Sequence, residues 1–136
     1  VIREAIRIVL LGDAGVSTAV GGNRIYPLLM KQGVRDPSLV YQRAGGIFET
    51  LLEGPQALRE TRLQLDAWAI NPDLAAALIT LAETRLNGYS GIVPVGDESP
   101  QAQVNIKGVF LDNERDGYDG AVKLYRDGRD FRVLWW

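Results

Sequence analysis

The stretch from Ile6 to Thr18, IRIVLLGDAGVST, is the first place where residue types and spacing suggest chemistry. It looks like a strand running into a phosphate-binding loop. Such a loop needs G-x-x-x-x-G-K-[ST]: the second glycine lets backbone N–H groups approach phosphate, and the lysine reaches the terminal phosphates. Counting from Gly12, those positions hold Ser17, Thr18 and Ala19, so all three requirements fail. Asp112, Glu114, Asp116 and Gly117 resemble the opening of a calcium loop. That loop wants Asp or Asn at its third ligand position and Glu at its twelfth, where this chain has Glu114 and Lys123. Glu49 and Glu53 would share a face if 47–53 were helical, but paired carboxylates do acid–base work only when buried and convergent. Ser90, in GYSG, lacks the G-x-S-x-G frame. The chain has no histidine and no cysteine. The commonest general base, thiolate nucleophiles and thiolate metal sites are therefore excluded. Arg59, Arg62, Arg126, Arg129 and Arg132 alternate with Glu60, Asp127 and Asp130, which reads as a salt-bridged sheet face rather than a phosphate track. We expect no catalytic residues, no cofactor and no metal.

The elements that would position these residues begin with a helix over 1–11. Ile2, Ala5, Ile6, Val9 and Leu10 follow helical spacing, with Arg3, Glu4 and Arg7 opposite. Ile8 and Leu11 fall off that stripe. Asp13 is placed to cap a short helix from Ala14 to Val20. Arg24 to Tyr26 is a short strand ended by Pro27, and 28–37 reads as a loop that starts with apolar Leu28, Leu29 and Met30. Ser38 to Ala44 is a second strand, broken by Gly45-Gly46, and 47–57 reads as an excursion. In the strand after it, Leu63, Leu65, Ala67 and Ala69 alternate with Arg62, Gln64, Asp66 and Trp68. Asn71 caps the next helix and Pro72 suits its first turn. Its apolar residues Leu74, Ala75, Leu78, Ile79, Leu81, Ala82 and Leu86 span an arc of about 160°, with Arg85 pointing into it. Gln103 to Glu114 is a strand with Val104, Ile106 and Phe110 on one face, followed by a polar turn DNERDGYDG. Residues 121–136 form either a hairpin about Asp127-Gly128 or one long strand bulged at Gly128. Trp135 and Trp136 would point to opposite sides.

A length of 136 residues fits one domain over 1–136, long enough to bury a core without staples. The apolar share is 46% and the charged share 24%, ordinary for a globular chain. A net charge of −2 opposes general nucleic-acid binding, which needs basic residues against phosphate. No apolar run is long enough for a membrane-spanning helix, and charges interrupt the first helix where a signal peptide would be uninterrupted. An intracellular chain is expected.

Taken in order, GGNRIYP, SLVYQRAGG, LLEGPQALRETRLQLDAWA, the helix to LNGYSG, VFLDNERDGYD and KLYRDGRDFRVLWW span nearly the whole sequence. Each motif alone is weak. Together, RIYP, VYQR, the L-x-G-P segment, the outward row Arg62, Gln64, Asp66 and Trp68, ERD-x-Y and the terminal LYR…DFRVLW resemble the tail completion or tail terminator proteins of long-tailed bacteriophages and gene transfer agents. The resemblance implies an α+β fold, with helices packed on one antiparallel-rich sheet. It also implies a last stretch that is one long strand beside 103–114, which favours the bulged strand over the hairpin.

It further implies a ring of subunits, typically a hexamer, at the head-proximal end of the tail tube. That ring would end tube polymerisation and join tail to head connector, in the neck of a virion assembled in the host bacterial cytoplasm. Its partners would be further copies of itself, the tail tube protein and the connector or neck protein. DNA would pass its lumen without specific binding, and no membrane would be involved. The residues best suited to contacts between subunits or partners are Ile8, Leu11, Leu28, Leu29, Met30, Ile47, Phe48, Leu51, Leu52, Arg62, Trp68, Arg85 and Trp136. The alternative is a small monomeric helix-on-sheet binding or regulatory domain.

Overall fold

The computed structural model describes residues 2–29, 32–50, 57–96 and 102–136, and of 44–50 and 57 the backbone alone. Its elements are α1 (Ile2–Leu11), α2 (Ala14–Ala19), β1 (Ile25–Pro27), β2 (Ser38–Thr50), β3 (Ala57–Ala69), α3 (Pro72–Leu86), β4 (Gly91–Val95), β5 (Ala102–Asp119) and β6 (Leu124–Trp135). The three helices pack against a six-stranded sheet of order β1-β2-β3-β6-β5-β4. Among the described strands only β1 and β2 pair in parallel; the other neighbours are antiparallel. This is the expected α+β architecture.

The core forms where two periodicities meet. On α1, Ile2, Ala5, Ile6, Val9 and Leu10 are all buried, as their helical spacing predicts. On β3, alternation buries Leu63, Leu65, Ala67 and Ala69, and the antiparallel register sets Phe131 beside Leu63 and Val133 beside Thr61. On α3 the buried set is Ala75, Leu78, Ile79, Ala82 and Leu86. Leu74 and Leu81, at the margin of the expected arc, are partly exposed. Both predicted caps are made: Asp13 Oδ2 accepts from the Val16 amide at 3.0 Å, and Asn71 Oδ1 from the Leu74 amide at 2.8 Å. Each satisfies an amide that the first helical turn leaves without a partner. The sequence that resembled a phosphate loop is therefore the second half of α1 and most of α2.

Four expectations are corrected. Gly45-Gly46 does not end β2. The register slips between Arg43 and Gly45 and the strand continues to Thr50, paired with β3 throughout, so 47–50 is strand rather than excursion. Glycine there accommodates a bulge instead of a break. The segment 112–119 is not a turn but the second half of β5, and the turn falls at residues 120–123. Residues 124–135 form one strand, as the resemblance implied, but its pairing with β3 runs through Gly128 without a slip. The irregularities lie in β5 instead, between Ile106 and Gly108 and between Leu111 and Asn113. The first of them moves Val109 into the core and turns Phe110, expected to face inward, out to 43% exposure. One inserted residue exchanges the faces of everything after it.

Candidate assembly surface

The outward row of β3 lies beside outward residues of β6 and β5, and together they form a charged face. Registers across the three strands bring Asp66, Gly128 and Arg115 into line, then Gln64, Asp130 and Asn113, then Arg62, Arg132 and Phe110. Arg115 reaches from β5 over β6 to Asp66 on β3, Nη2 to Oδ1 at 2.8 Å, and its Nη1 donates to Asp130. Gly128 lies beneath that bridge. A Cβ at this position would collide with Asp66 Oδ1 and sit 3.1 Å from Arg115 Cζ. Glycine is present because an ion pair crosses the strand there, with no turn or bulge involved. Asp66 is 9% exposed, and burial raises its carboxyl above the ordinary value, against the pull of Arg115 and Arg126.

A second ionic layer lies under α3. Arg129 Nε donates to Glu83 Oε1 of α3 at 3.0 Å and its Nη1 to Asp127 at 2.6 Å, with Glu114 at 3.5 Å. Burial pulls the guanidinium down, but the bonds to Asp127 and Glu83 outweigh it and hold its pKa up. Arginine rests over aromatic rings at several points: Arg126 over Trp68 at 5.7 Å, Arg132 over Phe110 at 5.7 Å and Arg59 over Trp135 at 5.1 Å. Among the described residues no group of three or more carboxylates is gathered closely enough to hold a metal ion.

The thirteen residues suited to contacts separate clearly in place. Ile8 is 39% exposed on α1, whereas Leu11 packs against the core. Leu28 and Leu29 are exposed, Leu29 at 81%, next to a left-handed Leu28 backbone of φ 67°. A left-handed leucine is a strained conformation, held here by the Leu28 amide donating to the Tyr41 carbonyl at 2.9 Å. Met30, Leu51 and Leu52 lie outside the described residues, and Ile47 and Phe48 lie on the far half of β2 with only their backbone described. Arg62 is exposed, 3.7 Å from Asp112, and Trp68 is half-buried beneath Arg126. Trp136 pairs its backbone with Asn105 and carries Lys107 over its ring at 4.0 Å.

Arg85 makes contacts within the chain. Its Nε donates to the Val9 carbonyl at 2.8 Å, among the open carbonyls that end α1, and its guanidinium lies over Tyr89. Sequence reasoning passed over exposed Ile70, Ile92, Tyr118 and Val122. Nothing in their local pattern marks them, and Phe110 was hidden by the bulge.

A family model described as "Tail completion protein gp17" matches residues 4–135. The chain belongs to that tail completion family. It is a structural protein of a phage-type virion tail. The tail completion protein is also similar in fold to a chain in a solved structure, "Virion of native gene transfer agent (GTA) particle". The TM-score is 0.68 at 12% identity, covering 96% of this chain and 91% of that one. No curated protein matches the sequence.

Proposed function

We propose that this tail completion protein, as a single domain over 1–136, is the subunit of a closed ring, a hexamer, at the head-proximal end of the tail tube. The ring ends tube polymerisation and joins the tail to the head connector or neck protein. DNA passes through its lumen. It works in the neck of a virion assembled in the bacterial cytoplasm and acts by binding, with no covalent step. The observation that carries this reading is the family match across 4–135. A ring built from one kind of subunit needs two different surfaces that fit each other, arranged so that the rotation between neighbours closes. One ring face matches the last tube ring; the other accepts no further tube subunit. Ile8, Leu28, Leu29, Ile47, Phe48, Arg62, Trp68 and Trp136 are our candidates for these contacts.

The test is polymerisation of purified tail tube protein with and without this chain, read by electron microscopy. Added protein is expected to shorten the tubes and cap one end with a ring. Tubes unchanged in length and end structure would refute the reading and leave the small monomeric binding domain.

A further inference from the structure

Among the described residues the sheet leaves two edge stretches with no strand beside them, and they lie diagonally opposite. On one side β1 covers only Leu39 to Tyr41 of β2. From residue 43 to residue 50 no described strand pairs with that edge. On the other side β4 covers Ala102 to Ile106 of β5, and Asn87 and Gly88 bond to Leu111 and Val109. From residue 113 to residue 119 the outer edge of β5 has no described strand beside it. The registers place the free stretch of β2 at the end of the sheet that holds Arg59 and Trp135, and the free stretch of β5 at the end that holds Ala69 and Tyr125.

We propose that the free edge of β2 in one copy pairs with the free edge of β5 in the next, continuing the sheet from subunit to subunit. This deepens the ring reading above and rests on it. Three observations favour a second copy as the occupant. The stretches match in length, about 27 Å for residues 43–50 and about 24 Å for 113–119 at strand rise. Their directions agree: β2, β3, β6 and β5 alternate, so β2 and β5 run oppositely, and a neighbour in the same orientation adds an antiparallel strand. Because β1 and β4 cover diagonal ends, a neighbour displaced along the strands meets neither cap. The charges also fit. Exposed Arg43 opens one stretch, while Glu114, Asp116 and Asp119 stand exposed on the other. Aligning the ends of the two stretches pairs Arg43 with Asp119 in register, an opposite-charge pair. The contact uses two different surfaces, as a ring of this kind requires.

The chain has no cysteine, so a cysteine pair reports on this contact alone. Within one copy, two strands separate β2 from β5, placing Arg43 and Asp119 at least about 14 Å apart, twice what a disulfide spans. The full chain carrying both Arg43→Cys and Asp119→Cys is oxidised in its assembled form, with folding checked by circular dichroism. Disulfide-linked multimers ending at one ring-sized species are expected, with neither single variant passing a dimer. Independently, Asp119→Arg alone is expected to cut assembly about fivefold, and Arg43→Asp with Asp119→Arg to restore it. Rings that form without crosslinking, and whose assembly ignores the charge swap, overturn the edge pairing and leave the ring reading intact. A chain that stays monomeric even on tube ends overturns both.

Discussion

Gly128 carries the sharpest consequence of the charged face. A methyl group at Gly128 would occupy the space of Asp66 Oδ1 and press on Arg115 Cζ and Nη2 at 3.1 and 3.2 Å. Both neighbours are side-chain ends, but they hold each other in place: the Asp66 side chain, 12% exposed, is bonded to Arg115, itself 23% exposed. The Gly128→Ala change must therefore break the bridge or push the strands apart. Losing a charge-assisted bond at this depth costs about 1.5–3 kcal/mol, and overpacking adds about 1–3 kcal/mol. Reduced backbone freedom in the unfolded chain returns about 0.4–1 kcal/mol. We expect a net loss of about 2–4 kcal/mol, read as a lower urea midpoint at unchanged slope. The decisive arm is a double-mutant cycle. With Asp66→Ala in place, the carboxylate no longer fills the space, and Gly128→Ala should cost at least about 1.5 kcal/mol less. Additive costs, or a single Gly128→Ala within about 0.5 kcal/mol of the parent, would refute the argument that the bridge excludes a side chain.

Two further outcomes follow from other contacts. Arg85→Ala removes the donor to Val9 and the cation over Tyr89, and should cost the unassembled chain about 1–3 kcal/mol in urea denaturation; unchanged stability with lost assembly would instead place Arg85 between subunits. Asp66 has a folded pKa raised above its ordinary 3.8, so folding takes up a proton there. Its contribution is fully present below that value and is lost as pH rises through the folded pKa. Stability of the parent relative to Asp66→Asn should therefore fall as pH rises just above 3.8. A rise would mean that Arg115 outweighs burial.

Much of the helical half was legible because each signal there is local. Spacing gives the buried stripe of α1, and single residues, Asp13 and Asn71, announce where helices begin. The inward row of β3 is equally plain from its alternation. The second half of β5 was illegible for a physical reason. From Asp112 to Lys123 no side chain is buried, so the strand carries no apolar alternation. Cross-strand partners such as Arg129 opposite Glu114 hold it, and those lie far off in sequence. Glycine was misread twice because its local meaning depends on neighbours. Gly45 and Gly46 follow a bulge, and Gly128 makes room for an arginine from another strand. The bond from Arg85 to a backbone carbonyl on α1 was not legible, because a backbone partner leaves no mark in the side-chain pattern.

The long strands of the sheet are thus held by different forces along their length. Near Leu63, Phe131 and Val109 they rest on a broad apolar core; near Asp116, Tyr118 and Tyr125 less is buried, chiefly Ala69 and Leu124, and ion pairs and a tilted ring contact at 4.8 Å add to it. Free energies of local opening follow what is buried, so amide hydrogen exchange should run as a gradient along each strand. Amides around Phe131 report global unfolding, while those around Tyr118 exchange through partial opening. Salt should change that gradient little, because Arg129 and Asp127 are largely buried and screening acts mainly on exposed pairs. The pattern expected is a slowly exchanging base and a faster-exchanging hairpin end.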